Sequence, residues 1–307
     1  MAANHPLDIL VNNFQNERPL RAGSLIITAY GDAIVPRGGT VWLGSLMRVL
    51  EPFGISERLV RTSVFRLTKE SWLQAEKVGR CSYYSLTGPG LRRFEQAFRQ
   101  VYSMATEEWL GHWSIVFLSQ LENGARRSLK QELEWMGFAS LAPGVMAHPR
   151  LDRADLMTLL QEHEVTDEVI VMHSEPQEIL SSKALRLQVK ESWNLDQLGE
   201  RYSRFIQQFR PLWNELKTDD SLTPEACFIA RTLLIHEYRK VLLRDPLLPD
   251  ELLPGDWEGR SARTLCRNLY RLLYQRAEQW LDITLENASG PLPAPAPSFY
   301  KRFGGLE

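Results

Sequence analysis

Arg58, Arg61, Thr62, Arg66 and Lys69 fall on one side of a helix at 100° per residue. Guanidinium groups present planar forks of donors that suit phosphate oxygens and the O6 and N7 edge of guanine, and lysine supplies a point charge for phosphate. The chemistry these residue types offer is recognition of an anionic polymer that carries bases. Leu59, Val60, Val64 and Leu67, with the small Ser63 among them, form the opposite, apolar side. Phe65 lies on the polar side, where contact with a thymine methyl and packing under a neighbouring hairpin both fit. Arg80 projects from the turn Val78-Gly79-Arg80-Cys81, placed for a phosphate or minor-groove contact.

A second basic group is Arg239, Lys240 and Arg244, near one helix end, with His236 and Tyr238 on the same helix. Cations there complement the dipole at a helix C-terminus. The same side chains also suit an anion cradle for phosphates, and all five are candidates for a ligand site. His236 reads more readily as a satisfied helix histidine than as a ligand contact. The run His236-Glu237-Tyr238-Arg239-Lys240 opens like a zinc protease motif, but position 240 is lysine where the second histidine must stand. The six histidines show no ligand spacing, and Cys81, Cys227 and Cys266 form neither a metal spacing nor a disulfide framework. No phosphate-binding glycine motif occurs. No catalytic residue, metal ligand or cofactor is expected.

The elements that must hold the basic face come in a definite order. Ala22 to Ile34 can form a helix with Leu25, Ile26 and Ala29 inward, and Leu43 to Leu50 a second with Leu43, Leu46, Met47 and Leu50 inward. Pro52-Phe53-Gly54-Ile55 supplies a tight turn, and Ser56 then caps the basic helix through its hydroxyl. Trp72 to Lys77 and Ser82 to Leu86 form a hairpin, to which Val41-Trp42 adds a short strand. Helix, helix, turn, basic helix and basic-tipped hairpin together describe a winged helix-turn-helix, whose third helix suits the major groove.

Charge is unevenly spread. Residues 1–100 carry 13 Lys and Arg against 8 Asp and Glu, and the remainder 23 against 30, although the whole chain has a formal net charge of only −2. A basic N-terminal module on an acidic body fits a nucleic-acid reader whose other parts do something else. At 307 residues, two or three domains are expected. Residues 1–23 lack the pattern of a signal peptide, and no apolar run approaches the roughly 20 residues of a membrane span. The scattered cysteines fit a reducing cytoplasm.

From Trp113 the order is strand (to Leu118), helix (Arg126 to Met136), two short strands (Phe138 to Ala142 and Val145 to His148), helix (Leu151 to His163, opened by Asp152) and strand (Glu168 to Met172). That is the ferredoxin-like split βαβ order. Beyond Ala184 the chain is nearly all helical: Trp193 to Lys217, a helix capped by Thr223 with Pro224 at its first position, and Ser261 to Leu285. The tail from Phe299 to Phe303 is too aromatic to be free and should pack back on the body.

Several runs carry a family resemblance. Trp42-Leu43-Gly44-Ser45-Leu46, Glu57-Arg58-Leu59-Val60-Arg61-Thr62, Phe65-Arg66-Leu67 and Gly79-Arg80-Cys81-Ser82-Tyr83-Tyr84 resemble the PaaX family, bacterial repressors of phenylacetic acid degradation operons. The likeness continues in Trp135-Met136-Gly137-Phe138, Phe209-Arg210-Pro211-Leu212, Asp245-Pro246-Leu247-Leu248-Pro249 and Arg302-Phe303-Gly304-Gly305-Leu306. The resemblance implies a dimer on a palindromic operator and phenylacetyl-CoA as effector. It also implies a central region similar to the small ferredoxin-like CRISPR nucleases. Such nucleases hold Mg²⁺ with acids at the end of the first strand, where this chain offers only Glu122, past the strand.

The expected fold is therefore α+β and mostly helical. It comprises a winged helix-turn-helix DNA-binding domain (1–95), a non-catalytic ferredoxin-like domain (106–180) and a helical effector-binding domain (184–307). The expected protein is not an enzyme. It is a cytoplasmic homodimer that represses phenylacetic acid catabolism genes, binds double-stranded operator DNA and is released by phenylacetyl-CoA. A constitutive architectural DNA-binding protein is the alternative, which the large acidic C-terminal half disfavours.

Overall fold

In a computed structural model, residues 5–103, 109–149, 153–174, 182–218 and 221–306 are described. The fold is mixed α/β and mostly helical. It divides into two compact units: Met1–Met104, Ser203–Leu243 and Arg260–Glu307 form the first, and Ala105–Tyr202 with Arg244–Gly259 the second. This grouping differs from a division into 1–95, 106–180 and 184–307. Most of the C-terminal helical segment shares a unit with the N-terminal module, and side-chain partners given below supply the physical reason.

In the first unit, α1 (Pro6–Gln15) and α2 (Ala22–Ala29) precede β1 (Thr40–Trp42), α3 (Leu43–Leu50) and α4 (Glu57–Lys69). The helix expected over 22–34 is not uniform: α2 ends at Ala29, and Tyr30–Ile34 form a π-helical turn that carries Asp32 into the interior. Between α3 and α4 the chain turns at Gly54, whose φ of 71° suits glycine. A Cβ there would also lie 2.9 Å from the Gln15 side chain. Ser56 caps α4 by accepting from the Leu59 amide at 3.3 Å. Val60, Ser63, Val64 and Leu67 are the buried face of α4, which packs against α2 and α3.

The hairpin follows as β2 (Leu73–Val78) and β3 (Cys81–Leu86), and β1 pairs antiparallel with β3, giving the order β1-β3-β2. Val78 and Cys81 are partners, so Gly79 and Arg80 form a two-residue loop. Only Gly79 has positive φ (61°), the pattern of a type II′ turn. The base of the hairpin is braced by Thr87, whose amide donates to the Trp72 carbonyl and whose hydroxyl donates to the Ser71 carbonyl. Tyr30 donates to the Tyr84 carbonyl at 3.1 Å, tying the π turn to the hairpin. Helix α5 (Gly88–Tyr102) completes the N-terminal part.

In the second unit, β4 (Trp113–Phe117), α6 (Asn123–Trp135), β5 (Ala139–Ala142), β6 (Val145–His148), α7 (Arg153–Glu162) and β7 (Ile170–Ser174) follow the expected order. The antiparallel sheet runs β5-β6-β4-β7, the ferredoxin-like arrangement. Its core includes Val116, Leu129, Leu133, Met146 and Leu160. Leu151 and Asp152, expected to open α7, lie outside the described residues.

Helix α8 (Ser182–Ser192) and α9 (Leu195–Leu216) are separated at Asn194, whose φ of 49° breaks the helix expected to run from Trp193. Helix α10 (Pro224–Leu242) starts where Thr223 accepts from the Ala226 amide at 3.2 Å, and α11 (Glu258–Thr284) follows. The terminal aromatics Phe299 and Phe303 are buried, as the sequence led one to expect.

Candidate nucleic-acid interface

The basic face of α4 is presented outward. Arg58, Arg61, Thr62, Phe65, Arg66 and Lys69 are all exposed, as is Arg80 at the hairpin tip. Arg61 lies 4.0 Å from Glu57 and Arg66 3.6 Å from Glu70. Exposed pairs of this i,i+4 kind contribute only about 0.3–0.5 kcal/mol, too little to withhold either guanidinium from an incoming phosphate or base edge. Arg66 also lies over Gly23 at the start of α2, where an added Cβ would sit 2.7 Å from its guanidinium. Phe65 is 62% exposed, with the Lys69 ammonium 4.8 Å from its ring centre. It does not pack under the hairpin as a core residue, which leaves its ring available for an apolar contact.

The second basic group is disposed differently. Tyr238 and His236 are fully buried, and Arg239 is 8% exposed. Arg239 donates to the Ser24 hydroxyl at 2.9 Å, and burial lowers its pKa to about 10. Lys240 donates to Glu17 at 2.6 Å and to Glu237 at 3.0 Å. Burial works against its charge, but those two carboxylates outweigh it and raise its pKa. Arg244 is exposed and belongs to the second compact unit. Arg239 and Lys240 therefore answer Ser24 on α2 and Glu17 in the connection before it. Helical spacing alone could not reveal this, because Ser24 is 215 residues away in sequence.

His236 makes a pH-sensitive contact. The Thr28 hydroxyl donates to the Ser24 carbonyl at 3.1 Å and lies 3.1 Å from His236 Nδ1, so Nδ1 carries the ring proton and donates to Thr28. Burial, then the nearby charges of Arg239, Lys240 and Arg21, hold its pKa well below the usual histidine value. The unfolded chain takes up a proton near pH 6.5 while the folded chain does not. The stability contributed by neutral His236 is thus complete above about pH 6.5 and declines as pH falls toward the folded pKa. The thermal midpoint should therefore fall more steeply between pH 7.5 and 5 in the parent than in His236→Gln. Equal slopes would contradict the assignment.

Sequence reasoning missed a buried charge cluster in the same unit. Asp32 is paired with Arg231 Nε at 2.7 Å and with Arg302 Nη1 at 3.0 Å, and it accepts from Tyr102 at 2.6 Å and Tyr270 at 2.8 Å. Arg231 also pairs with Glu278 at 2.5 Å, and Arg37 reaches both Glu278 (2.5 Å) and Asp282 (2.8 Å). Burial opposes the charge on Arg231, yet Asp32, Tyr270 and Glu278 outweigh it and raise its pKa. The only sequence signal was a lone charge inside each apolar run: Asp32 after Tyr30-Gly31, and Arg231 between Ala230 and Thr232.

Among the described residues, no group of three or more His, Cys, Asp and Glu is placed to hold a metal ion, and no helix is long and apolar enough to cross a membrane.

Comparison with known proteins covers the same ground in three segments. Residues 21–90 match the family described as PaaX-like protein, residues 106–186 the PaaX protein central Cas2-like domain, and residues 193–283 the PaaX-like protein C-terminal domain. The chain is 44% identical over 301 residues to the transcriptional repressor PaaX of Escherichia coli (strain K12), spanning 98% of this chain and 95% of that protein. A solved structure, uncharacterized protein Rv0674 from Mycobacterium tuberculosis, overlaps with a TM-score of 0.49 and 21% identity, covering 77% of this chain and 89% of that one. With 44% identity sustained over nearly its whole length and all three segments matched in order, the chain belongs to the PaaX family.

Proposed function

We propose that this protein is a DNA-binding transcriptional repressor of phenylacetic acid catabolism genes, released from its operator by phenylacetyl-CoA. The observation that carries the proposal is the outward basic face of α4, in a chain 44% identical to a protein named a transcriptional repressor. In this reading α4 enters the major groove and Arg80 approaches the backbone or minor groove from the wing. A homodimer places two such helices on a palindromic site, one helical turn or a multiple of it apart. The protein works in the cytoplasm, where its operator is, and carries out no catalysis.

Release demands differential affinity. A ligand that bound the DNA-competent and DNA-incompetent states equally would shift nothing, whatever its affinity. A coenzyme A thioester joins an anionic phosphate end to an apolar acyl end, and free phenylacetate lacks the former. In an electrophoretic shift on DNA from the control region of a phenylacetate catabolism operon, phenylacetyl-CoA at micromolar concentration, on the order used for metabolite sensing, should dissociate the complex. Acetyl-CoA and free phenylacetate should do so poorly. Equal response to all three, or to none, would overturn the effector assignment and leave the DNA-binding reading standing.

A further inference from the structure

We propose that a cleft between α9 and α11, within the first compact unit, seats the phosphate-bearing nucleotide end of the effector. This rests on the thioester reading above, and it replaces the cradle sought at Arg239 and Lys240, whose charges already meet Ser24, Glu17 and Glu237. The cleft has a volume of about 510 Å³, within the range of small-molecule sites. Arg210, Trp213 and Lys217 line one wall at helical spacing, and Arg260, Ser261 and Thr264 line the other.

Three features select the ligand chemistry. The lining contains three cations and no carboxylate, so an anion is favoured and a cation is not. Two of the cations are arginines, whose donor forks match phosphate oxygens, and they stand on opposite walls, so one polyphosphate can be gripped from both sides. Trp213 is half-buried with the Lys217 ammonium over its ring, 4.8 Å from the centre, so a purine ring that takes the ammonium's place can stack there beside the cations. Leu265 is the only aliphatic side chain in the lining, so the acyl end is not served here. The nucleotide of coenzyme A, with its diphosphate and separate ribose phosphate, has the charge and aromatic character these walls offer.

Calorimetric titration of the full-length protein with phenylacetyl-CoA and, separately, with adenosine 3′,5′-bisphosphate tests the site. In Arg210→Ala/Lys217→Ala, the affinity for both probes should fall by about tenfold or more, the loss expected on removing charge-assisted hydrogen bonds. Trp213→Ala should weaken both while leaving DNA binding near the parental value. If the parent binds the thioester and the double variant binds it equally well, the location is wrong while the effector reading survives. If the parent binds the bisphosphate in an Arg210-dependent way but not the thioester, the cleft stands as a nucleotide site and the effector reading falls. Binding of neither probe by the parent overturns both.

Discussion

Asp32→Ala is expected to destabilise the first compact unit by about 3–5 kcal/mol, the cost of leaving a buried charge without its partner. Asp32 and Arg231 are fully buried and Arg302 is 9% exposed, so bulk water does not reach the charges that the carboxylate neutralises. The substitution leaves Arg302 with the Tyr270 hydroxyl and backbone carbonyls of the π turn, and Arg231 with Glu278 as its remaining charge partner among the described residues. It also strands the Tyr102 and Tyr270 hydroxyls that donate to Asp32. For a body of this size the thermal midpoint should drop on the order of 10 °C. Asp32→Asn keeps the shape and removes the charge, so it should recover only part of the loss. A midpoint within about 2 °C of the parent for Asp32→Ala would show that the cluster is not coupled to folding as its geometry requires.

That cluster explains why the compact units depart from the sequence division. Asp32 and Arg37 lie beside α2, their partners Arg231, Glu278 and Asp282 lie on α10 and α11, and Arg302 comes from the tail. Periodicity reports which face of a helix is buried and cannot report against what. Features governed by short-range chemistry were legible in the sequence: the Ser56 cap, the Leu43–Leu50 helix, the Gly79-Arg80 loop and the order of elements along the second unit. The exposed face of α4 was legible too, since polar and apolar residues separate cleanly at helical spacing. The π turn at Tyr30–Ile34 and the break at Asn194 were not, because each continues an apolar helical pattern through a local change of backbone. The assignment of Arg239 and Lys240 to a ligand relied on their mutual proximity in sequence, when their partners Ser24 and Glu17 are more than 200 residues away.

The second large effect concerns DNA. Arg61 and Arg66 are exposed on the same side of α4, with only weak ion pairs to Glu57 and Glu70 to break before they can bind. Each that makes a bidentate contact to a guanine edge contributes about 1–3 kcal/mol of discrimination. Losing both should therefore weaken operator binding by roughly 2–6 kcal/mol if the contacts are independent. Lys69, by contrast, is proposed to meet a phosphate, so Lys69→Ala should weaken all sequences alike and reduce the salt slope by about one unit. Neither substitution touches the buried face formed by Val60, Val64 and Leu67, so folding should be preserved.

The most direct measurement is a quantitative electrophoretic shift of operator and unrelated DNA at one fixed salt concentration, comparing the parent with Arg61→Ala/Arg66→Ala. The parent should prefer the operator, and the double variant, folded with a parental thermal midpoint, should lose most of that preference while keeping its weaker binding to unrelated DNA. A double variant that shifts operator DNA as the parent does would contradict the placement of α4 in the major groove.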